Sequence, residues 1–237
     1  LEKDQGRIEE AIKHQKEVLA RLESSEYGAR ANVENQLGYL YQLYKDTDPQ
    51  SVTIAESHYK SALENANLYL DQLKTNEFGN NQIMHTQSLI ASIINNMGYL
   101  TGLMHNYSKA ESQCKNAITL WKRIGRKREV GWAKINLGVL ARDQRQYQQS
   151  EQRLNEAIDL LKLPDDFREW SQAYLQLGWT QWFMGSFNGK IIRKLEYLES
   201  AKNSLLEAQR VADEHNFLWE QPDIHHQLAS VYWYLWL

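Results

Sequence analysis

The sequence predicts an all-α fold built from repeated antiparallel helix pairs, and three observations carry that expectation. Only three prolines occur in 237 residues, period-two alternation of apolar and polar residues is almost absent, and one helical turn recurs along the chain. That turn is Asn35-Gln36-Leu37-Gly38-Tyr39-Leu40, Asn95-Asn96-Met97-Gly98-Tyr99-Leu100, Ile135-Asn136-Leu137-Gly138-Val139-Leu140 and Leu175-Gln176-Leu177-Gly178-Trp179-Thr180. A fifth copy, His226-Gln227-Leu228-Ala229-Ser230-Val231, keeps a very small residue at the marker position. A fixed self-similarity of this kind is the signature of a repeat array.

The elements follow in order. Residues 1–24, with Ile8, Ala11, Gln15 and Val18 on one stripe, read as the second helix of a half repeat. The next repeat, about 26–74, carries the Gly38 turn and then Ala55 and Ala62, seven residues apart on the facing helix. Small residues two helical turns apart, opposite a glycine, let two helices approach closely. Here the offset from the glycine to the first small residue is seventeen, because Lys45-Asp46-Thr47-Asp48-Pro49 widens the turn.

Repeats at about 80–124 and 127–163 show the unexpanded form: Gly98 to Ala110 and Gly138 to Ser150 are both twelve residues, with Ala117 and Ala157 completing the small pairs. Their apolar faces have helical period, through Tyr107, Ala110, Cys114, Ala117 and Trp121, and through Val130, Ala133, Leu137 and Leu140. The repeat at about 166–214 pairs Gly178 with Ala201 and Ala208, its offset stretched to twenty-three by Gly185-Ser186-Phe187-Asn188-Gly189, which reads as a helix-end insertion. Residues 219–237 form the first helix of a further repeat. Pro49, Pro164 and Pro222 fall between helices or in a first turn, and Gly125, Gly185 and Gly189 mark helix ends.

The order leucine, glycine, then a small residue twelve and nineteen positions later resembles the tetratricopeptide repeat, over essentially the whole chain. The spacing of forty between Gly98, Gly138 and Gly178 exceeds the usual thirty-four and implies longer helices. HEAT-type repeats also run near forty but do not supply this triad of positions. The long-period form is similar to repeats in kinesin light chains and in the sensor arms of bacterial STAND-type signalling ATPases. The stretch from Ile124 to Gly138 looks particularly like the latter. The resemblance implies a right-handed α–α superhelix whose concave groove binds a partner.

Composition narrows the function. A net charge of -3 and a pI near 6.2 offer no field for nucleic acid or anionic membrane, no apolar run is long enough to span a bilayer, and a single cysteine excludes an internal disulfide framework. The expected location is the cytoplasm. The chain starts without methionine and stops within an apolar helical pattern, so it reads as a piece of a longer protein.

First helices line the concave side of such a stack, so ligand contacts are expected there. Two residues before each marker stand Gln36, Asn96, Asn136, Gln176 and Gln227. A ladder of amides offers both donors and acceptors to the backbone of an extended protein segment or peptide, the expected partner. The alternative is that each amide bonds to a neighbouring helix and holds the repeats together. Tyr39, Tyr99, Trp179, Arg142 and Trp182 border the same groove, as large contact surfaces or as interlayer packing. Trp170, Trp179, Trp182, Trp219, Trp233 and Trp236 crowd the C-terminal third, whose apolar end is expected to meet further repeats or a partner.

No catalytic, metal or cofactor chemistry is expected. No two of the seven histidines form the i, i+4 pair, with a carboxylate nearby, that a helical zinc site needs, Cys114 lies on a buried stripe, and the acidic pairs Glu9-Glu10 and Asp165-Asp166 lie at helix starts or solvated faces. Arg126-Lys127-Arg128 reads as a solvated turn, with contact to an acidic partner as the alternative. A phosphate-binding glycine loop is absent. Three functions fit: a non-catalytic protein- or peptide-binding scaffold, a ligand-sensing arm of a larger signalling ATPase or transcription regulator, and a structural oligomerisation arm.

Overall fold

In a computed structural model the described residues are 2–46, 48, 50–76, 79–161, 166–187, 191–217 and 220–236. Pro49, Pro164, Gly189 and Trp219 lie outside them. The described residues form helices throughout, in two compact units, 1–126 and 127–237.

The first unit contains α1 (Glu2–Arg21), α2 (Tyr27–Leu43), a 3-10 turn (Tyr44–Asp46), α3 (Ser51–Thr75), α4 (Asn80–Leu103) and α5 (Tyr107–Arg123). The pairs α2–α3 and α4–α5 pack most extensively, with α1 against α2 and α3 against α4. The core takes Leu37, Tyr59, Ile93 and Leu100 out of water, together with Ala55, Ala62 and Ala66. Trp121 is fully buried on α5, and its indole N–H donates to Ser88 Oγ at 3.2 Å.

The second unit contains α6 (Lys127–Asp143), α7 (Tyr147–Leu160), α8 (Phe167–Ser186), α9 (Ile191–Glu214) and α10 (Gln221–Trp236). Here α6–α7 and α8–α9 are the tight pairs, α7 packs on α8, and α10 on α9. Ala201, Leu205, Ala208 and Ile224 form one apolar cluster, and Leu154, Ala157, Leu161 and Ala173 another.

The marker glycines sit where the paired helices touch. A Cβ on Gly98 would lie 2.7 Å from Cys114 Sγ and 3.2 Å from the Ala110 carbonyl oxygen. On Gly138 it would lie 2.6 Å from Leu154 Cγ, and on Gly178 2.6 Å from Leu205 Cγ. In each case the obstructing side chain stands four residues after the first small residue of the facing helix. Alanine and serine make room for the backbone, and this larger residue fills the notch left by glycine.

Turn chemistry explains the helix ends. After α5 the Gly125 N–H bonds to the Lys122 carbonyl at 3.2 Å and the Arg126 N–H to the Trp121 carbonyl at 2.9 Å, with Gly125 at φ 73°. This is a Schellman end, and glycine enters its left-handed position without a Cβ clash. The same pair of bonds ends α4 at His105 (φ 60°), α6 at Arg145 (φ 61°) and α9 at Asn216 (φ 54°). Only the α5 end carries the glycine that makes such a turn visible in a sequence.

One expected helix-end glycine has a second role. Gly185 is the penultimate residue of α8 and is buried there, where a Cβ would stand 2.9 Å from Leu198 Cγ. It is a second close-approach position on the α8–α9 pair, so the long offset of this repeat comes partly from longer helices. Pro222 falls in the first turn of α10, where its missing N–H has no intrahelical role.

Candidate functional site

Within each unit the first helices of successive pairs touch one another: α2 meets α4, and α8 meets both α6 and α10. Every residue expected to line a groove lies on one of these helices.

In the first unit, Gln36 and Tyr39 stand on α2 with exposed side chains, Tyr39 being 44% accessible. On α4, Asn96 and Tyr99 are half-buried. Asn96 Nδ2 donates to Asn35 Oδ1 at 3.1 Å, so this amide ties α4 to α2. Beneath the row lies a polar cluster that the marker pattern does not reveal. The buried Glu34 carboxylate accepts from Ser61 Oγ at 3.1 Å and faces His58 Nδ1 at 2.5 Å. The His58 ring stacks on Tyr41 at 5.5 Å. Lys16 Nζ stands 5.4 Å from the centre of that tyrosine ring.

Two surface clefts border these helices. One of about 660 Å³ lies among Tyr27, Asn32, Tyr69, Gln72, Gln82 and His85, and another of about 490 Å³ is lined by Ile12, Lys13, Lys16, Tyr41 and Tyr44.

In the second unit, Asn136, Gln176, Trp179 and Trp182 are half-buried, and Arg142 is only 9% accessible. Arg142 Nη1 donates to Gln176 Oε1 at 2.6 Å, and the guanidinium carbon sits 5.0 Å from the Trp179 ring centre. The cation is therefore oriented by a hydrogen bond and a cation–π contact from the next first helix. Trp182 makes edge contacts with Phe183 at 4.9 Å and Tyr234 at 5.6 Å. Gln227, the fifth amide of the series, is buried.

Two further groups differ from the sequence reading or were not singled out by it. Arg128 lies in the first turn of α6, not in a solvated turn. It ion-pairs with the buried Asp166 and, at 3.4 Å, with Glu169, and stands 5.3 Å from the Trp132 ring centre. Lys134 on α6 pairs with Glu156 on α7, and this hydrogen bond is the main reason the Glu156 carboxyl is held below the ordinary carboxylate range. Charge clusters show in a sequence, but partners 22 or 38 positions apart do not.

Among the described residues no group of histidine, cysteine or carboxylate side chains could hold a metal ion, and no helix is long and apolar enough to cross a membrane.

Helix pairs closing on glycine notches, with first helices in contact within each unit, define a helical-repeat architecture. A family model of the tetratricopeptide repeat matches residues 89–163, which run from within α4 to the end of α7. That stretch therefore carries tetratricopeptide-type repeats. The sequence of the chain finds no match among the curated proteins.

Among solved structures, the apo form of RapI aligns with a TM-score of 0.53 at 14% identity, covering 95% of this chain and 75% of that one. BtubC (BKLC) from P. vanneervenii gives a TM-score of 0.42 at 12% identity over 88% of this chain and 91% of that one. A putative kinesin light chain of Podosopora anserina with nearly identical TPR-like repeats gives 0.37 at 12% identity over 85% of this chain and 95% of that one. At 14% identity the likeness to RapI is one of fold.

Proposed function

We propose that the chain is a non-catalytic, cytoplasmic scaffold that binds a protein or extended peptide along its first helices. The contacts we assign are Gln36, Tyr39, Asn96 and Tyr99 in the first unit, and Asn136, Arg142, Gln176, Trp179 and Trp182 in the second. The observation that carries this reading is Arg142, a cation set between the Gln176 amide and the Trp179 ring on the surface that tetratricopeptide arrays turn toward ligands. A side chain held in place before binding loses less entropy when a ligand arrives. Gln36 and Tyr39 supply an exposed amide and ring on the corresponding helix face of the first unit.

The amides do not all act alike in this reading. Asn96 and Gln176 hold neighbouring helices through Asn35 and Arg142, which leaves Gln36 as the open amide of the set. A second reading, docking or self-association through α10, is favoured by Tyr232, Trp233 and Trp236, which are 50%, 60% and 81% accessible.

Affinity capture from native extract tests the scaffold reading. Wild type is compared with Gln36→Ala/Tyr39→Ala and Arg142→Ala/Trp179→Ala, each first shown to fold by circular dichroism. A partner held by wild type and lost by either folded variant is the expected result. Equal capture by all three moves the site off the first helices, and equal capture with loss on Trp233→Ala/Trp236→Ala assigns it to α10.

A further inference from the structure

The α6–α7 turn and the end of α8 enclose a cleft of about 380 Å³ lined by Arg145, Tyr147, Phe183 and Phe187. Its three rings lie nearly parallel and follow one another in steps: Tyr147 to Phe183 is 5.8 Å at 6°, and Phe183 to Phe187 is 5.9 Å at 9°. Phe187 is 71% accessible, so the last ring of the series projects into solvent. Arg145 is exposed at the same cleft and makes no ion pair or hydrogen bond through its side chain among the described residues. Among the described residues the lining contains no carboxylate.

We propose that this cleft binds a proline-containing segment of a partner protein in the polyproline II conformation, with an acidic residue beside the prolines. Such helices dock on aromatic-lined grooves because they are preformed and leave their own backbone unbonded. The spacing agrees: with a rise of about 3.1 Å per residue, alternate residues stand about 6 Å apart, close to the ring step. The unpaired Arg145 supplies the charge that selects a carboxylate at the end of the aromatic row. Among the described lining residues a nucleotide, which could also stack on flat rings, would find one cation and no side-chain amide with which to read a base edge or hold a sugar. The proposal rests on the chain being a partner-binding module, but not on the first-helix contacts assigned above.

The test is an NMR titration of the intact chain with three capped pentapeptides: Pro-Pro-Asp-Pro-Pro, Ala-Ala-Asp-Ala-Ala and Pro-Pro-Lys-Pro-Pro. The first is expected to move the Tyr147, Phe183 and Phe187 ring resonances saturably, with a Kd at least tenfold below that of either other peptide. Phe187→Ala removes that binding without unfolding the chain, since its ring is largely in solvent. Arg145→Gly, a replacement that suits the φ of 61° at this position, removes only the preference for aspartate over lysine. No saturable shift with the first peptide, equal binding of all three, or displacement by AMP overturns the proposal. Binding that survives Phe187→Ala but is lost in Arg142→Ala overturns it too, and assigns the peptide to the first-helix row. Loss of a captured partner in Arg142→Ala/Trp179→Ala speaks to that row alone, so the two readings can fail separately.

Discussion

Arg142 Nη1 donates to Gln176 Oε1 at 2.6 Å while its guanidinium stands 5.0 Å from the Trp179 ring centre, so one nearly buried cation joins α6 to two turns of α8. Arg142→Ala removes both contacts, one of them a charge-assisted hydrogen bond, and is expected to cost about 1.5–3 kcal/mol in urea unfolding. Arg142→Lys should recover little of this, since an ammonium reproduces neither the planar fork nor the stacking. A double-mutant cycle with Trp179→Leu checks the assignment: additive losses would mean that the ring and the guanidinium are energetically independent.

The glycine notches predict a graded response to one added methyl group. At Gly98 a Cβ meets Cys114 Sγ at 2.7 Å, the Ala110 carbonyl oxygen at 3.2 Å and the Cys114 amide nitrogen at 3.3 Å. Backbone cannot rotate away, so Gly98→Ala should cost about 2–3 kcal/mol through overpacking, even against the gain in helix propensity. At Gly138 the three nearest atoms belong to the Leu154 side chain, which can shift, so Gly138→Ala should cost about 1 kcal/mol. Gly79→Ala, with nothing within 4 Å, should be close to neutral. Chemical denaturation of the three variants checks the order, and equal effects at Gly98 and Gly79 would remove the packing role assigned to the marker.

The repeat was legible because packing wrote it into residue sizes. Glycine at 98, 138 and 178, with small residues twelve or more positions later, is required by helix contact and shows as spacing. The partners of Gly38, Gly98, Gly138 and Gly178, which are Tyr59, Cys114, Leu154 and Leu205 in that order, share one structural place but range from tyrosine to cysteine and leucine, so their position had no sequence signal. Turns at His105, Arg145 and Asn216 were hidden because left-handed positions held by non-glycine residues look like ordinary helix. Gly185 marks the end of α8 as its residue type suggests, and is a packing notch as well. The candidate site was legible only as a set of helix positions. Which amides would turn inward to Asn35 or Arg142 depends on neighbours one repeat away, and a single helix pattern does not contain them.

Cys114 is fully buried against the Gly98 notch and is the only cysteine in the chain. Its thiol should therefore resist a water-soluble disulfide reagent in the folded protein and react stoichiometrically in concentrated guanidinium chloride. Reaction in native buffer should follow opening of the α4–α5 pair, so Gly98→Ala is expected to accelerate it. Rapid full labelling of the native chain would show that α5 does not seat Cys114 on α4.

Tyr59 predicts the alkaline limit of stability. Its ring is fully buried and its hydroxyl donates to Gln42 Oε1 at 3.1 Å. Burial, ahead of the nearby Tyr39 and Tyr99, pushes its pKa far above the ordinary tyrosine value. The unfolded chain releases this proton once pH passes about 10, whereas the folded chain keeps it. Above that pH the native state binds more protons than the unfolded state, so unfolding is increasingly favoured as pH rises. Below it both states are protonated and the group adds no pH dependence. Stability measured by urea unfolding from pH 8 to 11.5 should thus fall more steeply in wild type than in Tyr59→Phe. At pH 7 the variant should be about 1 kcal/mol less stable because Gln42 loses its donor. The two curves are expected to converge as pH rises and to cross between about pH 10.5 and 11, and parallel curves would show that Tyr59 ionises as readily in the folded chain as in the unfolded one.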